Sequence, residues 1–250
     1  VSDNKYICHA LGEIDGYSYT NSKEAFLENY EKGYRVFEID LKLTSDGDLA
    51  LIHSWRNNDL ESLLGIEREK SENNEALSTE EFKSAKIYGK YTTQLLKDFA
   101  LLLKDYPDVY IVIDGKYGVE EREETVKEYT EIHDILEEYN PDLLDRMIPQ
   151  IYYEEMLDDI MDLYDWKSVI YTWYAFDGEE DFNPIKEMEF ALANGIEVIT
   201  MNEAREDELI DRELLLRGLV PYVHTINDAH KADELRKYGI YGFYTDSLLQ

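Results

Sequence analysis

The sequence predicts an α/β protein built as a closed (β/α)8 barrel, the TIM-barrel architecture. Short apolar segments of strand character alternate with segments of helical period, which is typical of parallel strands joined by right-handed crossovers. About eight such units fit into 250 residues, a usual size for a barrel of one domain. An open doubly wound sheet is the alternative, but neither of the phosphate-binding glycine sequences, GxGxxG or the P-loop, occurs.

The first part of the chain predicts a strand, a helix and a hairpin in succession. Ser22 is a predicted N-cap, and apolar residues at helical spacing follow it as far as Gly33, which ends the helix. A tight turn at residues 45–48, Ser-Asp-Gly-Asp, joins the two strands of the hairpin. The predicted bounds are strands at Tyr6–Ala10, Tyr34–Leu43 and Leu49–His53, and a helix at Ser22–Lys32.

Residues 54–90 differ from the rest of the chain because they are polar and only weakly periodic. We therefore predict a short insertion after the second strand pair, with a helix near Ser78–Lys86, in a single domain spanning residues 1–250. The alternation then resumes. Its predicted strands are Val109–Asp114, Met147–Ile151, Ser168–Trp173, Ile196–Met201, Val220–Thr225 and Ile240–Tyr244, and its predicted helices are Thr93–Lys104, Glu120–Tyr139, Tyr153–Leu163, Ile185–Asn194, Glu206–Leu216 and Asp228–Tyr238.

The charge balance excludes several classes of partner. The chain has 25 Lys and Arg against 56 Asp and Glu, a formal net charge of −31. Such a surface repels nucleic-acid phosphates and anionic membranes, so we expect neither nucleic acid nor a membrane as a direct partner. No apolar run approaches the ~20 residues of a membrane span. The sequence does not indicate an oligomeric state.

Cysteine content and the first residue bear on the cellular location. Cys8 is the one cysteine, so it has no internal disulfide partner, and we expect it to be a buried small side chain of the first strand. The chain starts at Val1 rather than Met, as after removal of a signal or anchor segment. An extracytoplasmic location, secreted or at the surface of a bacterial cell, is favoured over a cytoplasmic one.

The residues with chemical potential lie where predicted strands end, and barrel enzymes place their active sites at that end. Glu38 and Asp40 share one face of their strand, and Asp114 and Lys116 share a face at the end of a later strand. Three carboxylates at one barrel mouth repel one another unless a cation lies among them. Oxygen ligands favour a hard divalent cation, Ca²⁺ or Mg²⁺, over zinc.

Two histidines, His9 and His53, stand at the ends of other predicted strands. An imidazole with an ordinary pKa of ~6.5 accepts or donates a proton near neutrality, so this pair suggests acid–base catalysis. The alternatives that remain open are hydrogen-bonded structural histidines, a solvated face for the carboxylates, and an ion-pairing role for Lys116.

The ordered set of motifs resembles the glycerophosphodiester phosphodiesterases, a family of the phosphatidylinositol-phospholipase-C-like barrels. The resemblance is dense over residues 6–55, 109–118 and 220–247 and weak over 120–218. It is carried by His9, Thr20-Asn21-Ser22, Ala25-Phe26, Gly33, Phe37-Glu38-Ile39-Asp40, Leu43-Thr44-Ser45-Asp46-Gly47, Ile52-His53, Val112-Ile113-Asp114-Gly115-Lys116, Val223-His224-Thr225-Ile226-Asn227 and Gly242-Phe243-Tyr244-Thr245-Asp246.

The resemblance implies metal-dependent cleavage of glycerophosphodiesters to an alcohol and glycerol phosphate, a reaction of lipid metabolism. Glu38, Asp40 and Asp114 would bind Ca²⁺ or Mg²⁺. His9 and His53 would be the proton donor and acceptor in an unassigned order. Asn21, Lys116 and His224 would contact phosphate or substrate, with Asn21 also able to complete the metal shell and Lys116 also counted as catalytic. The substrate would be a small glycerophosphodiester or a phosphodiester unit of an envelope polymer.

Four positions depart from the family pattern. Ala10, Ser54, Asp114 and His224 stand where the family usually has arginine, aspartate, glutamate and tryptophan, respectively. Two other functions therefore stay open beside the leading one. They are a phospholipase-like activity on lipids and a barrel that binds a ligand without turnover.

Overall fold

A closed barrel of parallel strands forms the centre of the molecule. The computed structural model describes residues 4–70, 74–115, 117–173, 176, 182–205 and 207–249. The barrel strands, in their order around it, are β1 (Tyr6–Cys8), β2 (Val36–Leu43), β6 (Tyr110–Asp114), β7 (Met147–Ile151), β8 (Ile170–Thr172), β9 (Val198–Asn202), β10 (Val220–His224) and β11 (Gly242–Thr245), which pairs with β1 again. The predicted (β/α)8 barrel is therefore confirmed.

The helices surround this barrel, and the N-cap predicted at Ser22 is present. The Ser22 hydroxyl accepts a hydrogen bond from Ala25 N, so it is the N-cap of α1 (Lys23–Glu31). Asp228 caps α9 (Ala229–Tyr238) in the same way. The remaining helices are α2 (Asn57–Asp59), α3 (Thr79–Ser84), α4 (Leu96–Leu102), α5 (Arg122–Tyr139), α6 (Glu154–Met161), α7 (Pro184–Ala193) and α8 (Glu208–Leu216). Among the described residues, no helix has the length and apolar character that a membrane span needs.

The barrel interior is filled by one apolar layer to which every strand contributes a side chain. Its members are Ile7, Val36, Val112, Ile148, Ile170, Val198, Tyr222 and Tyr244. A larger apolar cluster lies between the outer strand faces and the helices. Since side chains alternate along a strand, the inward positions beyond this interior layer face the mouth at the carboxyl ends of the strands.

One predicted strand has a different role. β3 (Leu49–Leu51) pairs antiparallel with β2 and lies outside the barrel. It also ends before His53, so the prediction that His53 terminates a strand is wrong. His9 likewise lies just past β1, in a 3-10 turn that begins at this residue. Both histidines are thus on loops over the mouth. These loops begin where the short strands β1 and β3 end.

The insertion after β3 has its own small core. The predicted helix near Ser78–Lys86 is confirmed as α3, with a capping box between Ser78 and Glu81. The prediction missed α2 and the hairpin of β4 (Lys86–Ile87) and β5 (Tyr91–Thr92). Trp55, Leu60 and Phe82 pack with further apolar residues into a separate cluster beneath the insertion. This cluster anchors the segment beside the mouth.

A tight turn after β1 gives the first stability prediction. Gly12 has φ +88°, and a Cβ there would lie 2.4 Å from Asn29 Nδ2 and 2.6 Å from Cys8 Sγ. We expect Gly12→Ala to lower the free energy of unfolding by about 3 kcal/mol, from backbone strain together with overpacking. Gly16 has φ +82° with nothing within 4 Å of its Cβ position, so Gly16→Ala is the control and loses only about 1 kcal/mol. Equal losses in urea titrations would contradict the packing argument.

Candidate active site

Three buried carboxylates meet at the barrel mouth. Glu38 and Asp40 project inward from β2, and Asp40 is paired in register with Asp114, the last residue of β6. One oxygen from each of the three lies within 4.8 Å of the others, and all three residues are at most 5% exposed. The predicted convergence of Glu38, Asp40 and Asp114 is therefore present in the structure.

The loop after β1 orients two of these carboxylates. Ala10 N donates a hydrogen bond of 2.7 Å to Glu38 Oε2. Asn21 Nδ2 donates to Asp40 Oδ2 at 2.8 Å, and Asn21 Oδ1 accepts from Asp40 N at 3.2 Å. The amide of Asn21 thus holds Asp40 from both ends. The structure gives Asn21 a supporting position beside Asp40, whereas a direct contact with metal or phosphate stays a prediction.

His9 belongs to a buried network at the closing seam of the barrel. Its Nδ1 lies 2.9 Å from Oδ1 of Asp246, which directly follows β11. Asn227 fixes Asp246 because its Nδ2 donates to Asp246 Oδ2 at 2.6 Å and its Oδ1 accepts from Asp246 N at 2.7 Å. Burial disfavours the imidazolium, but the Asp246 hydrogen bond and the charge of Glu38 outweigh it and raise the pKa of His9 to about 9.

His53 lies across the mouth from this network with its ring a third exposed. Its Nδ1 is 3.4 Å from Asp59 Oδ2, and the Ser54 hydroxyl donates to the same oxygen at 2.5 Å. Tyr19 lies between the two histidines. Its ring centroid is 4.6 Å from His9 and 5.7 Å from His53, with the planes perpendicular in both pairs. Each histidine therefore has an aspartate partner and an edge contact with the same tyrosine.

His9, His53, Tyr19, Glu38 and Asp114 line a cavity of about 230 Å³ that opens at the mouth. His224, the last residue of β10, forms part of its wall, whereas its contact with substrate stays a prediction. The wall also includes Gln150 and Tyr244, which are joined by a 2.5 Å hydrogen bond from the tyrosine hydroxyl to Gln150 Oε1. Burial raises the pKa of Tyr244 well above its usual value, so this hydroxyl remains a neutral donor.

Two further clefts meet this cavity at His53, which lines all three. The first, here called the tyrosine cleft, has a volume of about 350 Å³ and is lined by Tyr19, Tyr88, Leu63 and Asp59 with two serines. The second has a volume of about 380 Å³ and contains Lys42 and Arg56; it is called the Lys42–Arg56 cleft below. The site therefore extends in two chemically different directions.

Several site residues were missed from the sequence, and one prediction falls outside the structure. Lys116, predicted to contact phosphate, lies outside the described residues. Asp246 belongs to a motif of the last strand, but that motif does not predict its pairing with His9. Asp59 and Tyr19 were not singled out, although a carboxylate shortly after His53 was an available signal for a histidine partner.

The fold and the site together define a TIM-barrel enzyme with a polar centre at the carboxyl ends of its strands. The sequence model of the glycerophosphoryl diester phosphodiesterase family matches residues 15–249, and the chain belongs to this family. It is therefore a glycerophosphodiester phosphodiesterase by family. Of the predicted site residues, His9 alone precedes the matched segment.

Solved structures support the fold at low sequence identity. A putative glycerophosphodiester phosphodiesterase from Galdieria sulphuraria is 16% identical, with a TM-score of 0.78 over 97% of this chain and 93% of its own. A putative glycerophosphoryl diester phosphodiesterase from Silicibacter pomeroyi is 15% identical, with a TM-score of 0.76 over 97% and 89%. An Oleispira antarctica phosphodiesterase, solved with the product sn-glycerol-3-phosphate, is 16% identical, with a TM-score of 0.76 over 97% and 93%. No curated protein matches the chain.

Proposed function

We propose that the protein hydrolyses glycerophosphodiesters to an alcohol and glycerol phosphate, with a divalent cation at the carboxylates and with His9 and His53 as the proton donor and acceptor. One observation carries the proposal. Three buried carboxylates cluster together, and two of them, Glu38 and Asp114, line the same cavity as two histidines. Each histidine is paired to its own aspartate. Isolated buried carboxylates are costly, so their convergence favours a bound cation.

The donor set fits such a cation. Glu38, Asp40 and Asp114 offer oxygen atoms close enough to share one ion, and oxygen-only ligands suit Mg²⁺ or Ca²⁺. The hydrogen bonds from Ala10 N and Asn21 Nδ2 fix the orientation of two of the ligands, as supporting groups do in metal sites. A bound cation would supply Lewis-acid stabilisation of negative charge on the phosphate oxygens.

The histidine environments support an order for the proton steps. His9, with its pKa raised to about 9, is an imidazolium near neutrality and is placed to donate a proton to the leaving alcohol. His53 is then the acceptor for the proton of the hydroxyl group that attacks the phosphorus atom. Asp246 and Asp59 hold the two rings, and Tyr19 packs against both, so the donor and acceptor keep their relative positions.

The test is release of glycerol phosphate from a panel of diesters with choline, ethanolamine, glycerol or inositol as the alcohol. We expect release that EDTA abolishes and that either Mg²⁺ or Ca²⁺ restores, because the carboxylates supply most of the charge that holds the ion. Vesicles of intact phospholipid serve as the comparison substrate. Cleavage of the vesicles alone would favour the phospholipase-like alternative, and binding of diesters without release under any metal would favour the inactive barrel.

A further inference from the structure

The Lys42–Arg56 cleft concentrates positive charge beside the reacting centre of a strongly acidic chain. Lys42, Arg56, Trp55, Tyr117 and Glu121 line it, together with Asn74 and the residues His53 and Ser54. Two permanent cations thus stand against one carboxylate among the described lining residues. Since the formal net charge of the chain is −31, this local excess of cations runs against the rest of the surface.

The position of Lys42 follows from the strand that carries the carboxylates. Lys42 shares the inward face of β2 with Glu38 and Asp40, and it lies two residues, or about 7 Å, beyond Asp40. Its ammonium group lies 4.0 Å from the centroid of the Tyr117 ring and 3.4 Å from Gly115 O. These contacts hold the charge over the mouth of the barrel.

Arg56 is tied to the same network as His53. Its backbone N donates to the Ser54 hydroxyl at 3.2 Å, and that hydroxyl donates to the aspartate partner of His53. Its side chain is exposed, and no carboxylate of the described residues lies within ion-pair distance of the guanidinium. The base of the side chain is therefore fixed near His53, while the guanidinium group is accessible to a ligand.

The tyrosine cleft on the other side of His53 has the opposite chemistry. Tyr19, Tyr88 and Asp59 line it, with no Lys or Arg among its described residues, and Tyr17 stacks on Tyr88 at 4.1 Å. An anionic part of a substrate is repelled there and attracted to the Lys42–Arg56 cleft. A guanidinium and an ammonium together suit the oxygens of a phosphate group.

We propose that the Lys42–Arg56 cleft binds a second phosphate of the substrate, one that is not cleaved, next to the diester that reacts at His53. The inference rests on the proposed phosphodiesterase activity and names its substrate class: glycerophosphodiesters that carry a further phosphate. The same chemistry occurs in a small bisphosphorylated molecule and in one unit of a glycerol phosphate chain. Both sources present a phosphate a few bonds from the scissile diester.

The experiment compares glycerophosphoglycerol with its phosphorylated form, in which one free glycerol hydroxyl carries phosphate, and with a longer glycerol phosphate oligomer. We expect the wild-type protein to have the higher kcat/KM on the phosphorylated substrates through a lower KM. Arg56→Gln should reduce this preference about tenfold, as loss of a charge-assisted contact does, whereas Arg56→Lys should retain most of it. Arg212→Gln, on the exposed surface of α8, is the control with the same charge change.

The outcomes separate the two hypotheses. If the wild-type protein cleaves none of these diesters, the proposed function fails. If it cleaves them but Arg56→Gln leaves the preference unchanged, or if Arg212→Gln reduces it equally, the phosphate subsite is wrong and the proposed function stands. A higher kcat/KM on the oligomer than on the small phosphorylated substrate would identify a glycerol phosphate chain as the substrate. Equal kcat/KM on these two substrates would mean that the cleft recognises only the phosphate that they share.

Discussion

Asp40→Asn is expected to reduce kcat/KM for glycerophosphodiesters by a factor of about 10³ or more and to weaken binding of the divalent cation. Asp40 lies at the centre of the site, in register with Asp114 and two residues from Glu38 on the same strand face. An amide has the same shape but lacks the charge that holds a hard cation. Activity with Mg²⁺ or Ca²⁺ titrated over a wide range measures both effects.

The same substitution should raise the stability of the metal-free protein. Three carboxylates within 4.8 Å of one another repel by about 3 kcal/mol for each charged pair at an effective dielectric constant of ~20. Removing one charge relieves part of this repulsion, so the metal-free variant should unfold at a higher temperature than the metal-free wild type. Added cation should then stabilise the wild type more than the variant.

Asp158→Asn is the matched control, because Asp158 is an exposed residue of α6 and the change removes the same charge. It should alter neither the cation dependence nor the metal-free stability. An Asp40→Asn variant that kept EDTA-sensitive activity at the wild-type level would contradict the carboxylate site itself. A variant less stable than the metal-free wild type would contradict the argument from repulsion.

The inward positions of the acidic residues could be predicted because they depend on local periodicity. Glu38 and Asp40 have the same parity, and Phe37, Ile39 and Leu41, which alternate with them, are apolar. This pattern alone places both carboxylates on one face. Their approach to Asp114 depends on the register between β2 and β6, which the sequence does not show. This approach could be predicted only from the general rule that barrel enzymes have their active sites at the carboxyl ends of the strands.

The partners of the histidines could not be predicted in this way. His9 and Asp246 are 237 residues apart and meet only because β11 closes the barrel against β1. Tyr19 reaches both histidines from a loop in which its own φ is +59°, a conformation that no periodic pattern indicates. The apolar segment before His53 predicts a strand that ends at this residue, whereas β3 stops at Leu51. Long-range closure and loop geometry thus determine the part of the site that holds the proton-transfer groups.

Asp246→Asn should lower kcat by a factor of about 10² to 10⁴ and shift the alkaline limb of the pH–rate profile. In the metal-free wild type, His9 keeps its proton up to pH about 9, and the Asp246 hydrogen bond that holds this proton is independent of the cation site. An amide at position 246 removes the charge and the hydrogen bond that hold the imidazolium and its orientation. The alkaline limb should therefore move down towards the ordinary histidine value of ~6.5.

Asp59→Asn makes the same change on the partner of the other histidine and should leave the alkaline limb at its wild-type position. Stability provides a readout that is independent of activity. Because the pKa of His9 is raised in the folded state, its contribution is present below pH ~6.5 and is lost as the pH rises through about 9. For the metal-free wild type this loss is about 3 kcal/mol, and it should largely disappear in Asp246→Asn.

A bound cation should reduce the same loss in the wild type, because the charges of Glu38 and Asp40 that help to protonate His9 are then partly neutralised. Urea titrations between pH 6 and pH 10, with and without Mg²⁺, measure this coupling. If the wild type and Asp246→Asn lose stability equally over this range, the histidine–aspartate pair does not control the proton. In that case the assignment of His9 as the donor fails, even if both variants are inactive.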